Sequence, residues 1–492
     1  MPVNDNKRRQ TAGAYQKIVL SLKQRKKGAT VADVCAATAL PLSTVRELLP
    51  RAADEYSSHL QVTQSGEILY TFPNDFKSRY RGAGAVIRKV SRFLSAAIKA
   101  TAVFLFKFWI VLMLVGYFVL FLILALASVV LSVAVQSKSS NRGSRSYGFN
   151  LFGIIWRIWF IREMTRPRYR HYDYDPAAQK KKQSRPMHKA VFSFIFGETD
   201  PNGDWEERKE RAIIGYIQAN RGVICLAEYM VFTGEGSREA EESILSFCTR
   251  FGGSPEITEE GTIVYRFDEL LLRADSKNFA ELSPPVRRLK IFSENSKSMN
   301  AWFIVINAVN LIFGSYFLYH SLFTGLLVSD IQSQAASYLY AFTHILLELF
   351  TANPPAVIMT ILGIVPFAFS LFFWIIPSVR KFMETKENED TKLSNFKRLG
   401  FGRIWSSPKN VKTEQLLTLA DECRPKNLTG AGDKVIKTLG AIWNPDIEID
   451  SKGETLYSFP GLENEKRALE QYRLTINPDH SKLGEKVFDT TE

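Results

Sequence analysis

The stretch from Ala102 to Val135 constrains this chain more than any other feature. It contains 34 residues and a single charge, Lys107. A helix that crosses the hydrocarbon core of a bilayer needs about 20 apolar residues, so the stretch predicts entry into a membrane. It is long for one span and short for two spans with a turn. Gly116, near its middle, is compatible with either a tilted helix or a tight hairpin.

Two later runs are also long enough to cross a bilayer. Ala301–Val328 has 28 residues without Lys, Arg, Asp or Glu, and Ala356–Ile376 has 21. Each is predicted to form one span. Asp330 and no basic residue lie in residues 329–337, between the two spans.

Two shorter apolar stretches suit the membrane interface better than a crossing. Residues 338–350 number only 13 and carry His344 and Glu348. They predict an interfacial or re-entrant helix. Residues 151–161 place two tryptophans beside Arg157, and these residue types prefer the headgroup level.

The net charge of +13, from 63 Lys and Arg against 50 Asp and Glu, suggests nucleic acid or an anionic membrane surface as a partner. The excess lies beside the first apolar run, with seven basic and no acidic residues in 76–101 and thirteen basic and three acidic in 138–189. Basic flanks stay cytoplasmic, which favours a hairpin and an even number of crossings. The residues predicted to anchor the chain at anionic headgroups are Arg79, Arg81, Arg88, Lys89, Arg92, Trp156, Arg157, Trp159, Arg162, Arg166, Arg168 and Arg170.

Three soluble segments share the pattern Gly-x-x-[Leu/Val]-Tyr-x-Phe. Their glycines lie 195 and 192 residues apart (261−66 and 453−261), and an alternating, strand-like stretch precedes each. Two such stretches joined by a polar turn that ends in glycine predict a β-hairpin. The residues of this repeat signature are Gly66, Tyr70, Phe72, Gly261, Tyr265, Phe267, Gly453, Tyr457 and Phe459.

Amphipathic helices precede each hairpin, and Thr30 is predicted to begin the second helix of the first copy. Helix, helix, turn, helix and hairpin is the winged-helix order. The predicted fold is therefore an α+β multidomain integral membrane protein with three winged-helix-like modules separated by transmembrane helical blocks. The predicted boundaries are 1–76 (module 1), 77–101 (basic juxtamembrane segment), 102–135 (transmembrane hairpin), 136–187 (basic aromatic interfacial linker), 188–275 (module 2), 276–300 (linker), 301–328 (transmembrane helix), 338–350 (interfacial or re-entrant helix), 356–376 (transmembrane helix), 377–408 (linker), 409–462 (module 3) and 463–492 (tail).

Winged-helix modules bind DNA or proteins, and charge helps to separate the two. Residues 1–75 carry +3, residues 204–269 carry −7 and residues 409–454 carry −1. Because phosphate contacts dominate affinity for nucleic acid, module 2 is not predicted to bind DNA. The DNA contacts that module 1 could offer are Lys23, Arg25, Lys26, Lys27, Ser43, Thr44 and Arg46.

The function favoured by these patterns is that of a non-enzymatic scaffold or adaptor at the cytoplasmic membrane. Its expected partners are a bilayer with anionic headgroups and an unidentified protein, with self-association as a further option. A membrane-tethered DNA-binding regulator that acts through module 1 is the alternative. A transporter or channel component is the third, in which Asn307, Asn310 and Glu348 would line a polar path.

No motif predicts a cofactor, a metal site or catalysis. The cysteines, Cys35, Cys225, Cys248 and Cys423, form no closely spaced pair. The segment Thr429-Gly-Ala-Gly-Asp-Lys434 lacks the spacing of a phosphate-binding loop. No nucleophile lies beside a base.

The segment Phe192-Ser-Phe-Ile-Phe-Gly-Glu-Thr-Asp-Pro-Asn202, with Trp205-Glu-Glu-Arg and the hairpin at Gly261, resembles a family of poorly characterised membrane proteins shared by bacteria and chloroplasts. The resemblance covers about half of the chain and rests on the motif Phe-Ser-Phe-x-Phe-Gly-x-x-Asp-Pro. It implies a location in the inner membrane, or in a plastid membrane in plants. Some members carry an iron–sulfur-cluster-biosynthesis label, which four dispersed cysteines do not support. Glu198-Thr199 replaces the Asp-Gly that the family usually has.

Overall fold

The structure is a computed structural model of the chain. It describes residues 3–23, 25, 28–73, 76–79, 83–136, 185–274, 283–323, 334–413, 416, 423–451, 453–477 and 483–490. The chain forms two compact units. The first, here called the sheet unit, comprises Met1–Ala96, Thr199–Lys290 and Phe382–Glu492, and the second, the helical unit, comprises Ala97–Glu198 and Ile291–Lys381.

Helices make up most of both units. In chain order they are α1 Val3–Lys23, α2 Val31–Thr38, α3 Leu42–Glu55, α4 Ala83–Val111, a π-helical turn Leu112–Gly116, α5 Tyr117–Gln136, α6 Met187–Phe196, α7 Trp205–Ala219, α8 Leu226–Thr233, α9 Ser237–Phe251, a 3-10 turn Asp268–Leu270, α10 Lys297–Phe323, α11 Gln334–Glu348, α12 Pro354–Val357, a π-helical turn Ile358–Ile364, α13 Val365–Ser406, α14 Leu428–Trp443 and α15 Pro460–Thr475.

The nine strands all lie in the sheet unit as far as the described residues go. They are β1 His59–Thr63, β2 Ile68–Thr71, β3 Val223–Cys225, β4 Ser254–Ile257, β5 Ile263–Arg266, β6 Val411–Lys412, β7 Asp446–Ile449, β8 Thr455–Ser458 and β9 Lys486–Asp489. They form three antiparallel sheets, with strand orders β2-β1-β9, β3-β5-β4 and β6-β8-β7. The fold is thus mixed helix and sheet, in agreement with the coarse prediction.

Each signature segment forms the second strand of a hairpin in the same register. Tyr70 pairs with Leu60, Tyr265 with Pro255 and Tyr457 with Ile447. The turn glycines at 66, 261 and 453 have φ values of +81°, +83° and +80°, in the region that side chains rarely adopt. The three predicted hairpins are therefore present.

The first helices of the sheet unit follow from local sequence. Thr30 caps α2, because its hydroxyl oxygen accepts from the Asp33 N–H while the Asp33 carboxylate accepts from the Thr30 N–H. The predicted start of α2 is confirmed. One continuous apolar core then joins the helices of all three hairpin segments, with Leu49, Phe251 and Phe459 almost fully buried.

The predicted C-terminal tail, 463–492, is wrong. Residues 460–475 form α15, whose Leu462 and Leu469 enter the core of the sheet unit. Strand β9 pairs antiparallel with β1, with Gln61 opposite Asp489 and Val62 opposite Phe488. These residues complete the fold of segments that lie far earlier in the chain.

Among the described residues, three helical stretches are long and apolar enough to cross a membrane, by length and composition: Phe93–Leu131, Lys297–Phe323 and Pro354–Ser406. They support membrane association. Helix α11 covers most of the predicted interfacial stretch, and its location at the interface stays a prediction. Residues 324–333 lie outside the described part of the chain.

The predicted hairpin at 102–135 is wrong. Helices α4 and α5 and the π-helical turn between them run without a break from Ala83 to Gln136, so the predicted separate juxtamembrane segment is helical from Ala83 onwards. Tyr117, directly after Gly116, keeps helical angles of −64° and −40°. A turn in lipid would leave backbone N–H and C=O groups without partners, whereas a continuous helix satisfies them.

Two further boundaries also differ. The predicted linker 377–408 is wrong, because α13 continues through Pro377 to Ser406, and its Phe396, Phe401 and Ile404 are buried in the sheet unit. Module 2 does not begin at 188, because α6 belongs to the helical unit and the sheet unit resumes at Thr199. In α13, apolar residues spaced for one helix face continue on both sides of the charged residues between them.

Candidate interaction site

Two buried carboxylates add polar links to the apolar core of the sheet unit. From here on, module 1 denotes α1–α3 with β1 and β2, module 2 denotes α7–α9 with β3–β5, and module 3 denotes the end of α13 with β6–β8 and α14. In each of the first two modules, the third residue of the second helix is acidic and buried: Asp33 in α2 and Glu228 in α8. Each carboxylate binds a segment that follows the hairpin of the next module.

Asp33 joins module 1 to module 2. Its Oδ2 accepts from the N–H of Ala274 at 2.8 Å, and its Oδ1 lies 3.0 Å from Arg25 Nη1. Beside it, the Thr30 hydroxyl donates to the Leu272 carbonyl at 2.7 Å. Since Leu272 and Ala274 follow β5, the chain leaving the second hairpin is fixed against the second helix of module 1.

Glu228 joins module 2 to α15. The carboxylate is 1% exposed and accepts two bonds from Arg473, Nη1 to Oε1 at 3.1 Å and Nη2 to Oε2 at 2.6 Å. Tyr216 donates its hydroxyl to the same carboxylate at 2.5 Å, and Arg473 also donates to the Val223 carbonyl at 2.8 Å. A bidentate arginine with two further bonds compensates a charge that would be costly to bury alone.

A second acid, Glu465 of α15, lies close to this pair. Its Oε2 accepts from Trp443 Nε1 at 2.6 Å, and burial raises the pKa of its carboxyl above the usual range. Burial also raises the pKa of the neighbouring Cys225 thiol. A thiol with a raised pKa stays protonated and is a poor nucleophile, so this polar cluster has a structural rather than a reactive character.

The other cysteines are in similar surroundings. All four are buried thiols outside any disulfide, and burial raises the pKa of Cys35 to about 12 and that of Cys248 to about 11. Among the described residues, no three His, Cys, Asp or Glu side chains are grouped so that they could hold a metal ion.

The third helices of the modules, which would enter the major groove in a DNA-binding winged helix, pack against each other. Helix α9 contacts both α3 and α14. Arg46 Nη2 on α3 lies 3.0 Å from Glu269 of module 2. These helices therefore take part in contacts between modules, while Ser43 and Arg46 of α3 remain exposed.

The remaining DNA candidates differ in their surroundings. Arg25 is paired with Asp33, Ser43 and Lys23 are exposed, and Thr44 is partly buried. Lys26 and Lys27 lie outside the described residues.

In the helical unit, the Phe-Ser-Phe-x-Phe-Gly motif ends α6. Gly197 stops the helix with φ +87°. The guanidinium of Arg380 donates to three backbone carbonyls, those of Ile195 at 3.2 Å, Phe194 at 2.8 Å and Phe292 at 2.8 Å. A cation at the unpaired carbonyls of a helix end is favoured by hydrogen bonding and by the helix dipole.

A second polar cluster in the helical unit forms around Glu198, the residue directly after the motif glycine, whose carboxylate accepts several hydrogen bonds. Arg185 binds its carboxylate through both terminal nitrogens, with Nη2 2.8 Å from Oε2, and Ser193 donates its hydroxyl to Oε1. The Glu294 N–H donates at 3.3 Å. These bonds, with that from Arg185 largest, hold the pKa of Glu198 at about 2.

Replacing Glu198 with glutamine is expected to destabilise the helical unit by about 1–2 kcal/mol at neutral pH, because the amide has one acceptor oxygen instead of two and lacks the negative charge that pairs with Arg185. The folded pKa lies below the unfolded value of about 4.5, so the wild-type advantage is present above pH 4.5 and disappears as the pH falls towards 2. Thermal unfolding of the detergent-solubilised protein between pH 3 and pH 7 measures this. A difference in unfolding temperature between wild type and E198Q that stays constant over this range would contradict the lowered pKa of Glu198.

The two asparagines proposed for a polar path form bonds between helices. Asn307 Nδ2 donates to the Ser370 carbonyl at 3.1 Å and Asn310 Nδ2 to the Leu114 carbonyl at 2.7 Å, and both side chains are fully buried. His344 Nδ1 lies 3.2 Å from Glu348 Oε1, one turn away on the same helix. The structure therefore does not bring the three path candidates to one lined cavity among the residues it describes.

The structure describes only some of the residues that are predicted to anchor the chain at the membrane. Arg79 donates its N–H to the Glu55 carbonyl at 2.7 Å, and Arg88, Lys89 and Arg92 lie on α4. The remaining members of the predicted set lie outside the described residues: Arg81, Trp156, Arg157, Trp159, Arg162, Arg166, Arg168 and Arg170. Anchoring stays a prediction.

Sequence patterns did not identify Glu228, Arg473 or Arg380. Glu228 and Arg473 are 245 residues apart, and no local spacing signals a pair at that distance. A buried acid at the third position of a helix that is otherwise apolar is the one available sign for Glu228.

Comparisons with known proteins give a distant relative only. An uncharacterised chloroplastic protein of Arabidopsis thaliana is 26% identical over 446 residues, which cover 86% of this chain and 78% of the relative. No family model matches, and no solved structure matches. The similarity supports kinship with a poorly characterised plant and chloroplast protein, and lends no support to the iron–sulfur label.

Proposed function

We propose that the protein is a membrane-anchored scaffold whose three winged-helix-like modules bind proteins and carry out no chemistry of their own. The observation that carries this proposal is the packing of α9 against α3 and α14. In this packing the third helices make contacts between modules, and the exposed side of α9 carries Glu239, Glu241 and Glu242, which would repel a DNA backbone. Each hairpin contributes one edge strand to its sheet, namely β2, β4 or β7.

The element order supports the winged-helix interpretation. Module 2 runs α7, β3, α8, α9, β4 and β5, with β3 pairing to β5. Module 1 has the same order, with an isolated bridge between Ala29 and Tyr70 in place of β3. In module 3, β6 pairs with β8 in the same way. A short strand ahead of the second helix, followed by a hairpin, is the three-stranded sheet of a winged helix.

Packing between modules also bears on topology. Modules 1 and 2 share one core, so a bilayer cannot lie between them. We therefore expect an even number of crossings between Arg79 and Asp200, and again between Lys290 and Phe382. This arrangement presents all three modules on one side of the membrane, as a scaffold requires.

A plastid membrane is the proposed location if the source organism has plastids, since the distant relative is chloroplastic. Otherwise the inner membrane, with the modules facing the cytoplasm, is proposed. Basic residues beside the first span would add about 1 kcal/mol each to the attraction for an anionic leaflet.

The membrane-tethered DNA-binding regulator is the second candidate, favoured only by the +3 charge of residues 1–75. Arg46 and Arg25 are engaged by Glu269 and Asp33. The acidic module 2 packed beside them would repel phosphates.

Sealed membrane vesicles of one orientation test the proposal. Cysteines placed in the three hairpin turns, by Ser65→Cys, Glu260→Cys and Ser451→Cys, are expected to react with a membrane-impermeant maleimide from the same side. The native cysteines are at most 5% exposed and leave a low background. Labelling of one turn from the opposite side would disprove the common face.

The same preparations also test the DNA alternative. Fluorescence anisotropy of a 30-base-pair duplex, titrated with the solubilised full chain at two salt concentrations, is expected to show no saturable binding. Saturable binding that weakens with salt would favour the regulator instead.

A further inference from the structure

The first strands of the three hairpins have equivalent outer edges, which differ in whether another strand pairs with them. Counted from the turn glycines, Leu60 and Val62 of β1 correspond to Pro255 and Ile257 of β4 and to Ile447 and Ile449 of β7. In each hairpin the residue closest to the turn, Thr63, Thr258 or Asp450, donates its N–H across to the second strand. Backbone direction alternates along a strand, so the matched residues aim their N–H and C=O groups away from the hairpin.

In module 1 this outward edge is occupied by β9. The Thr490 N–H donates to the Leu60 carbonyl at 3.1 Å, the Leu60 N–H donates to the Thr490 hydroxyl at 2.9 Å, and Val62 lies opposite Phe488. A distant segment thus adds an antiparallel strand to the hairpin. The same chain shows that this module edge accepts an extended peptide.

In module 2 the edge is blunted. Pro255 has no N–H to offer at the position of Leu60, which leaves Ile257 as the outward donor of β4. Proline on an edge strand is a common protection against unwanted strand pairing. The hairpin with β5 is intact in spite of the proline.

In module 3 the edge is open. Strand β7 ends its sheet, and among the described residues no strand pairs with its outer side. Ile447 and Ile449 are 63% and 75% exposed, and both have outward N–H groups. Two large apolar side chains on an unpaired edge are a ready site for another strand.

Charge limits what can dock there. The side chains of Asp446 and Glu448 alternate with the isoleucines, are exposed, and have no ion pair among the described residues. Pairing of β7 with the β7 of a second copy would set Glu448 near its own equivalent, and like charges directly opposite each other destabilise a sheet. A partner strand with basic residues avoids this repulsion.

We propose that the β7 edge of module 3 binds an extended, basic protein segment by strand addition, with Lys or Arg facing Asp446 and Glu448 and branched apolar residues facing Ile447 and Ile449. The bound segment would repeat on β7 what β9 does on β1. This inference rests on the proposed scaffold function and gives it a binding site and a partner chemistry.

The test uses the full chain in nanodiscs and a fluorescent eight-residue peptide of alternating lysine and valine. The peptide is expected to bind saturably. Ile447→Pro is expected to weaken binding at least tenfold, because it removes an outward N–H and leaves the β7–β8 bonds in place, as Pro255 does in module 2. Ile447→Val, which keeps the N–H and a branched side chain, is the matched control and is expected to stay within twofold of wild type.

Two more measurements identify the mode of binding. Glu448→Lys is expected to weaken binding of the lysine–valine peptide at least threefold. An alternating glutamate–valine peptide is expected not to bind. Thermal unfolding of Ile447→Pro close to that of wild type shows that the variant folds. Absence of peptide binding, or equal binding to wild type and to folded Ile447→Pro, would overturn the strand-addition site. Neither result affects the maleimide and DNA experiments, on which the scaffold proposal itself depends.

Discussion

Replacing Arg473 with methionine is expected to destabilise the sheet unit by about 3–5 kcal/mol. The change leaves the Glu228 carboxylate, 1% exposed, without its bidentate partner, and an uncompensated buried charge carries a penalty of this size. Tyr216 would still donate to the carboxylate and compensate part of its charge, which places the loss towards the lower end of this range. Chemical unfolding of the solubilised protein, followed by tryptophan fluorescence, measures the loss.

Two comparisons make the Arg473 result specific. Arg467→Met, on the same helix, removes an exposed pair with Glu463 one turn away and is expected to cost less than about 0.5 kcal/mol. Adding Glu228→Gln to Arg473→Met is expected to recover a large part of the stability, because the uncompensated charge is gone. A double variant no more stable than Arg473→Met would show that packing of the arginine, and not its charge, matters.

Substituting Gly314 with valine is expected to cost the helical unit about 1–3 kcal/mol or to separate α10 from the start of α13. A Cβ at Gly314 would lie 2.9 Å from the Phe367 backbone nitrogen, and one at Gly363 would lie 3.1 Å from Leu318 Cα. Backbone atoms cannot move aside as a flexible side chain can. Small residues at such crossings let membrane helices approach closely. Thermal unfolding in nanodiscs measures the loss.

Gly116→Ala is the matched control for the helical unit. Its new Cβ would meet only the Leu112 side chain, at 3.3 Å. Leu112 is flexible and half exposed, so this variant is expected to unfold within about 0.5 kcal/mol of wild type or slightly above it, since alanine favours a helix over glycine. Equal losses at Gly116 and Gly314 would contradict the close crossing.

Local patterns predicted the parts of the fold that local physics determines. The signature glycines need a positive φ, and the alternation before them fits a pleated strand, so all three hairpins could be found from sequence. Thr30 and Asp33 meet within one turn of helix, so the start of α2 was equally accessible.

Features that depend on partners far along the chain could not be found. In β9, Val487 and Phe488 remain 67% and 60% exposed after pairing, so no buried face distinguishes the strand from a solvated tail. The role of Arg473 depends on Glu228, which lies in another module. Helix α13 was not predicted as one continuous helix, because the charged residues around 384–392 separate its two apolar stretches.

The unbroken helix through Gly116 illustrates a different limit. Glycine costs about 1 kcal/mol in a helix in water, which makes it a natural place to expect a turn. In lipid, the cost of unpaired backbone groups is several times larger and reverses that preference. Basic flanks on both sides of the stretch suggested a return of the chain without indicating where it occurs.

Pairing of β9 with β1 has a consequence for how the protein is made. Asp489 meets Gln61 across 428 residues of chain, and at about 5–20 residues per second a ribosome needs roughly 20–90 s to add them. During that interval the nascent protein already displays the outward groups of Leu60 and Val62 while later apolar helices are entering the bilayer. The first sheet therefore stays incomplete until the last strand has been synthesised. Premature termination of translation would release a chain whose β1 edge is unpaired and prone to aggregation.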